Sequence, residues 1–162
     1  MKKILSFCIL ILLSGCIRAQ QNPRIQQLPI YHILNTDSVR VTSANLKRYK
    51  PVMIIYFSPD CSHCQHLMGE IKPHLKELKN IQVVMITFFP QLKPIRDFAK
   101  QFGLNTQPNF TLGTEGYTYE MQRYFEIKTT PYIALYDKNG KLVKAYEKAP
   151  DMKELFATVK KV

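Results

Sequence analysis

Residues 52–57 read VMIIYF, six consecutive apolar positions between Pro51 and Pro59. An apolar run of this length without alternation predicts a strand buried on both faces, as in a parallel sheet covered by helices. The next segment narrows the choice further. Between residues 62 and 79, Leu67, Ile71, Leu75 and Leu78 recur at helical spacing and form one apolar face. Gly69 and Pro73 fall inside it. Pro73 lacks a backbone donor and crowds the preceding turn, so a kink is expected near Gly69. A second apolar run at residues 83–87 predicts the neighbouring strand.

The remaining pattern completes an α/β chain. Residues 30–34 and 39–41 predict an opening strand or hairpin, and 43–49 a short helix capped by Thr42 or Ser43. Residues 94–102 place Ile95, Phe98, Ala99 and Phe102 on one helical face, with Gly103 as the stop. A short strand is expected at 110–112. A helix is expected at 117–125, with Tyr117, Tyr119 and Tyr124 read as core and helix-face residues. Residues 132–136 and 142–146 flank Asp137-Lys138-Asn139-Gly140, a hairpin turn. Residues 151–160 form a last amphipathic helix with Met152, Leu155, Phe156 and Val159 inward. The order predicts one domain with a central mixed sheet, helices on both faces and an antiparallel edge. At 162 residues and 46% hydrophobic, the chain can bury a core without disulfide staples.

The first 16 residues stand apart from this pattern. Lys2 and Lys3 precede an apolar run at 4–13, too short to span a bilayer and suited to an export signal. The run ends in Leu13-Ser14-Gly15-Cys16, which resembles the lipobox of bacterial lipoproteins. That resemblance implies a signal peptide over 1–15, removed with Cys8, and a lipidated Cys16 as mature N-terminus. It places the protein on a membrane of the cell envelope, facing the periplasm. Ile17 stands where an Asp often marks inner-membrane retention, which points to the outer membrane. Residues 16–28, polar and rich in Gln, are expected to be a flexible tether, leaving 29–162 as the folded domain.

The chain is basic, with 23 Lys and Arg against 12 Asp and Glu. The cations are spread along the sequence with no arginine-rich run, so they read as a solvated surface, helped by anionic lipid near the anchor, and not as a nucleic-acid site.

Cys61-Ser62-His63-Cys64 lies between the buried strand and the helix. A Cys-x-x-Cys at that junction is a redox signature. The first helical turn has unpaired N–H groups and the positive end of the helix dipole. Both stabilise a thiolate and make Cys61 a nucleophile. Cys64 is spaced to form a disulfide with Cys61 and to resolve a mixed disulfide. A protonated His63 would add to the stabilisation, and Asp60 opposes it by like charge. No bound organic cofactor is needed, because the electrons reside in the Cys61–Cys64 pair.

The sequence YFSPDCSHC resembles the active-site strand and turn of the thioredoxin superfamily. Thr129-Thr130-Pro131-Tyr132-Ile133 resembles its cis-proline loop. The segment around residues 94–112 is similar to the insertion of membrane-anchored TlpA-like thiol–disulfide oxidoreductases. The resemblance implies a thioredoxin-like fold, a cis Pro131 packed beside Cys61, and a Thr130 backbone that pairs with a substrate strand, with Ser62 also at the substrate site. It implies protein thiols and disulfides as substrates and a membrane electron donor or oxidant as redox partner. Three positions depart from the family pattern. Asp60 replaces the usual Trp, Ile55 stands near the place of a buried acid, and Gly69 replaces the usual helix Pro. The His before the second Cys pulls towards the oxidising DsbA type, and the TlpA-like architecture pulls towards a reductase.

Other readings of the same residues are weaker. A metallochaperone could hold Cu(I) or zinc on the two thiolates. The chain has no second Cys-x-x-Cys, however, so no metal site is assigned. His32, His66 and His74 read as surface residues. A peroxiredoxin would need threonine and proline ahead of its reactive Cys, and here Pro59 stands alone.

Overall fold

The computed structural model describes residues 23–162. The export signal expected at 1–15 and the lipidation expected at Cys16 lie outside the described residues. Seven strands form one sheet: β1 (His32–Asn35), β2 (Arg40–Thr42), β3 (Val52–Tyr56), β4 (Gln82–Thr87), β5 (Phe110–Thr114), β6 (Tyr132–Tyr136) and β7 (Leu142–Tyr146). Their spatial order is β2-β1-β5-β4-β3-β6-β7. The pairs β3/β4 and β4/β5 are parallel, and β1/β2, β1/β5, β3/β6 and β6/β7 are antiparallel. The helices are α1 (Ser62–Ile71), α2 (Leu92–Gln101), α3 (Glu120–Phe125) and α4 (Met152–Val159).

Strand β3 is central and buried along its whole length, as its unbroken apolar run requires. Its residues alternate between two cores. Met53 and Ile55 pack with α1, α2 and α4 through Leu67, Ile71, Phe98, Leu155 and Phe156. Ile54 and Tyr56 pack on the other face with Met121 and Phe125 of α3. The opening hairpin joins the sheet where Gly113 of β5 pairs with Asn35. A Cβ on Gly113 would lie 2.7 Å from the Leu34 carbonyl oxygen, so only glycine lets β1 approach there.

Three expectations need correction. The helix expected over 62–79 is not one kinked α-helix. α1 ends at Ile71, and a 3₁₀ helix continues over Lys72–Leu78. Pro73 has no N–H to give to the Gly69 carbonyl, and the chain tightens from that point. The helix expected over 117–125 is split by Tyr119 in the left-handed region at φ 50°. Tyr117 is therefore exposed instead of packed, while Tyr119 and Tyr124 are half-buried. The tether expected over 16–28 is docked from Arg24 onward, so the folded unit begins before residue 29. Ile25 is buried against the α3 side, and Leu28 N–H donates to the Gly140 carbonyl at 2.8 Å. The Tyr124 hydroxyl lies 2.8 Å from the carbonyls of both Arg24 and Gln27. Ile25 and Leu28 pack on the core, and the segment's carbonyls find donors, which is enough to hold a segment that reads as polar.

A carboxylate is buried at the end of β5. Glu115 is 5% exposed; it accepts from the Tyr56 hydroxyl at 2.6 Å and from Met121 N–H at 2.7 Å. Glu115→Ala leaves a buried phenol and an N–H unpaired, at about 1–3 kcal/mol each. Urea unfolding should therefore show a loss of about 2–6 kcal/mol.

The buried phenols predict an alkaline limit. Burial pushes Tyr31 and Tyr132 up to about 12. Burial raises Tyr56 and Tyr136 further, and Glu115 adds to the shift at Tyr56. An unfolded phenol ionises near 10, whereas the folded chain keeps these protons. Their contribution is complete below pH 10 and is lost as pH rises towards 12. Melting temperature measured from pH 8 to pH 11 should fall steeply above pH 10.

Candidate active site

The site forms where β3 ends. Phe57, Ser58 and Pro59 are buried, and the chain then turns outward at Asp60. Cys61 N–H donates to the Ser58 carbonyl at 3.2 Å, and the Ser58 hydroxyl donates to the Asp60 carboxylate. The Gln65 side chain holds the turn from the helix side, donating to the Pro59 carbonyl at 2.9 Å. Cys61 is the N-cap of α1, with extended backbone at φ −78° and ψ 118°. A strand that stops at a proline and restarts as a helix leaves this residue at the helix mouth.

The two sulfurs have different surroundings. Cys61 is half-buried, whereas Cys64 is 1% exposed and belongs to the core between α1 and the sheet. Both are free thiols. Burial alone would raise Cys61. It is outweighed by hydrogen bonds from the Thr130 side chain and from the Cys64 and His63 groups of the first helical turn, so the thiol falls below its ordinary value. Cys64 is pushed up to about 12, chiefly by burial, with the neighbouring Cys61 adding to the rise and donation from Ser58 N–H and the Thr130 side chain opposing it. Ile55, near the place of the family's buried acid, is 1% exposed in the same core and offers no proton acceptor.

Across the mouth lies the loop before β6. The Thr130–Pro131 peptide is cis, and Pro131 is buried. The Cys61 thiol donates to the Thr130 carbonyl at 3.6 Å, joining residues 69 apart in sequence. Ser62 and His63 are exposed on the first turn of α1. The structure thus brings together Cys61, Cys64, Ser62, His63, Thr130 and Pro131. The other histidines sit elsewhere, beside surface carboxylates: His32 with Glu120, His66 with Glu70, and His74 with Glu77. Among the described residues no three His, Cys, Asp or Glu side chains group to hold a metal.

Sequence reasoning missed Ser58, whose N–H serves Cys64 and whose hydroxyl turns Asp60 aside. Its place in the signal, between an apolar run and a proline, resembles any turn. It also missed Glu115, which reads as a loop acid and lies on the opposite face of the sheet from Cys64.

The two thiols should differ in reactivity. With iodoacetamide and peptide fragmentation, Cys61 should alkylate with a midpoint below the ordinary 9.0 of a thiol. Cys64 should react at least ~100-fold more slowly, since only an exposed thiolate is a nucleophile.

The sequence matches the thioredoxin-like domain family over residues 40–162. No curated protein matches the sequence at a significant level. Among solved structures, a secreted disulfide oxidoreductase of Mycobacterium tuberculosis, homologous to E. coli DsbE, is similar with a TM-score of 0.69 at 16% identity. The match covers 88% of this chain and all of that one. A thiol–disulfide oxidoreductase from Bacteroides fragilis is similar with a TM-score of 0.69 at 18% identity, covering 84% of this chain and 98% of that one. At these identities the likeness is one of fold. With the family match spanning most of the chain, including the Cys61–Cys64 turn and the Pro131 loop, this protein belongs to the thioredoxin-like family.

Proposed function

We propose that the chain is a thiol–disulfide oxidoreductase that reduces disulfides of exported proteins through Cys61 and Cys64. The observation that carries this reading is the asymmetry of the pair. A half-buried thiol of lowered pKa stands at a helix mouth, and a second, buried thiol stands behind it. The Cys61 thiolate attacks one sulfur of a substrate disulfide, and the other sulfur leaves as a thiolate. The Cys64 sulfur then attacks Cys61, forming the Cys61–Cys64 disulfide and releasing the second substrate thiol. The substrate gains two electrons and the pair loses two.

The surroundings of Cys64 suit this order. Once Cys61 is tied in a mixed disulfide it no longer carries charge, and its contribution to raising Cys64 disappears. Ser58 N–H remains to favour the Cys64 thiolate. Exposed Ser62 and the Thr130 backbone flank the path of a substrate strand, and exposed His63, when protonated, favours the Cys61 thiolate.

Reduction needs a donor to restore the dithiol, and a membrane electron donor that presents reduced thiols fits the envelope reading of Cys16. The lipobox-like Leu13-Ser14-Gly15-Cys16 supports a lipid anchor, and the α2–β5 insertion supports the TlpA-like, reducing branch. Among the described residues no helix is long and apolar enough to cross a membrane. Equilibrating the full chain with glutathione buffers tests the direction. A potential near roughly −270 mV supports the reductase, whereas one near roughly −120 mV overturns it in favour of an oxidant.

A further inference from the structure

We propose that the pole of the domain opposite the thiols is a docking surface for an anionic phospholipid membrane. Cations distant in sequence meet there. Residues 47–50 read Lys47-Arg48-Tyr49-Lys50 just before β3, Lys79 precedes β4, and Lys138 lies in the turn after β6. Lys47, Lys50 and Lys79 line a cavity of about 230 Å³. Lys47, Arg48, Lys50 and Lys138 line an adjoining groove of about 510 Å³. The two hollows share Leu46, Lys47 and Lys50, so the five cations form one surface.

All five are exposed, and among the described residues none is in an ion pair. Among the described residues Asp137 is the only carboxylate lining either hollow, and its Oδ1 accepts N–H groups of Asn139 and Lys141 within its own turn. Strand β3 starts at this pole and ends at the Cys61 turn, so a membrane held here leaves the thiols facing away from it.

Two further observations select lipid over other polyanions. Tyr49 lines the groove among the cations, 79% exposed and in the left-handed region at φ 58°. Exposed tyrosines beside cations suit the headgroup layer. The N-terminal chain also leads to this pole. Leu142 N–H donates to Gln26, Gln27 bridges Lys141, and Gln27 and Leu28 line the groove. In sequence, six residues separate Cys16 from Pro23, at most roughly 25 Å of chain. For the nearness of the membrane, the inference rests on the lipid-anchor reading of Cys16. Each cation near an anionic surface adds about fivefold to partitioning, and the attraction fades with added salt.

Lysine acetylation of the full chain, mapped by mass spectrometry, tests this. The chain is mixed with vesicles of phosphatidylcholine alone or with phosphatidylglycerol added. On anionic vesicles Lys47, Lys50, Lys79 and Lys138 should label at least about threefold more slowly, while Lys128, just before the Thr130 loop, and Lys153, at the start of α4, stay unchanged, and 1 M salt should abolish the difference. Flotation with both vesicle types and uniform labelling keeps the anchor and overturns the docking surface. Protection on anionic vesicles without flotation on neutral ones upholds the surface and removes the anchor. Protection by single-stranded RNA with none on anionic vesicles assigns the pole to nucleic acid and overturns the proposal.

Discussion

Replacing Cys61 by serine is expected to reduce disulfide exchange to the uncatalysed background while leaving the fold intact. The attacking group must be a thiolate, and a serine hydroxyl neither ionises near neutral pH nor forms a disulfide. Nothing else at the helix mouth can substitute. Cys64 is 1% exposed and pushed up to about 12 by burial, so it neither reaches a substrate nor ionises unaided. The structural effect should be small, because Cys61 is half-buried and its contacts across the mouth, with the Thr130 carbonyl at 3.6 Å and the Thr130 side chain, are weak bonds to sulfur. Stability within about 0.5 kcal/mol of the parent chain is expected from urea unfolding. Insulin reduction by excess dithiol supplies the activity readout. Measurable catalysis by the serine variant would move the chemistry to another thiol.

Cys64→Ser has the opposite signature. Attack by Cys61 survives, but the resolving step is lost. The mixed disulfide between Cys61 and its substrate should then persist for minutes to hours, the time of uncatalysed rearrangement, until external thiol releases it. Turnover should become proportional to external thiol. The Ser58 N–H that serves the Cys64 sulfur can serve a serine oxygen, and Cys64→Ala gives the same test without a buried hydroxyl. Non-reducing gels of the variant with a disulfide substrate should show one covalent adduct, absent when Cys61 is also replaced.

What could be read from the sequence follows from how local each signal is. The strand at Val52–Tyr56, its neighbour β4 and the hairpin β6–β7 were legible, because apolar runs and Asn139-Gly140 speak for themselves. The pair Cys61 and Cys64 was legible for the same reason: strand, turn and helix are contiguous. Long-range closures were not. Nothing in the spacing pairs β1 with β5, and the permissive residue, Gly113, looks like any glycine in a strand. The docking of Arg24 and Ile25 depends on the Tyr124 and Tyr136 hydroxyls, about a hundred residues away. The burial of Glu115 depends on Tyr56 and on a backbone N–H freed by the break at Tyr119. The basic pole was hidden because its cations come from three separate loops.

One measurement bears most directly on the redox role of the pair. The reduced full chain is mixed with an excess of oxidised protein substrate, quenched in acid within one turnover, and its cysteines are mapped by mass spectrometry. The account predicts one substrate disulfide opened for each chain that acquires a Cys61–Cys64 disulfide. Unopened substrate, or oxidation that leaves Cys61 and Cys64 as free thiols, would contradict it.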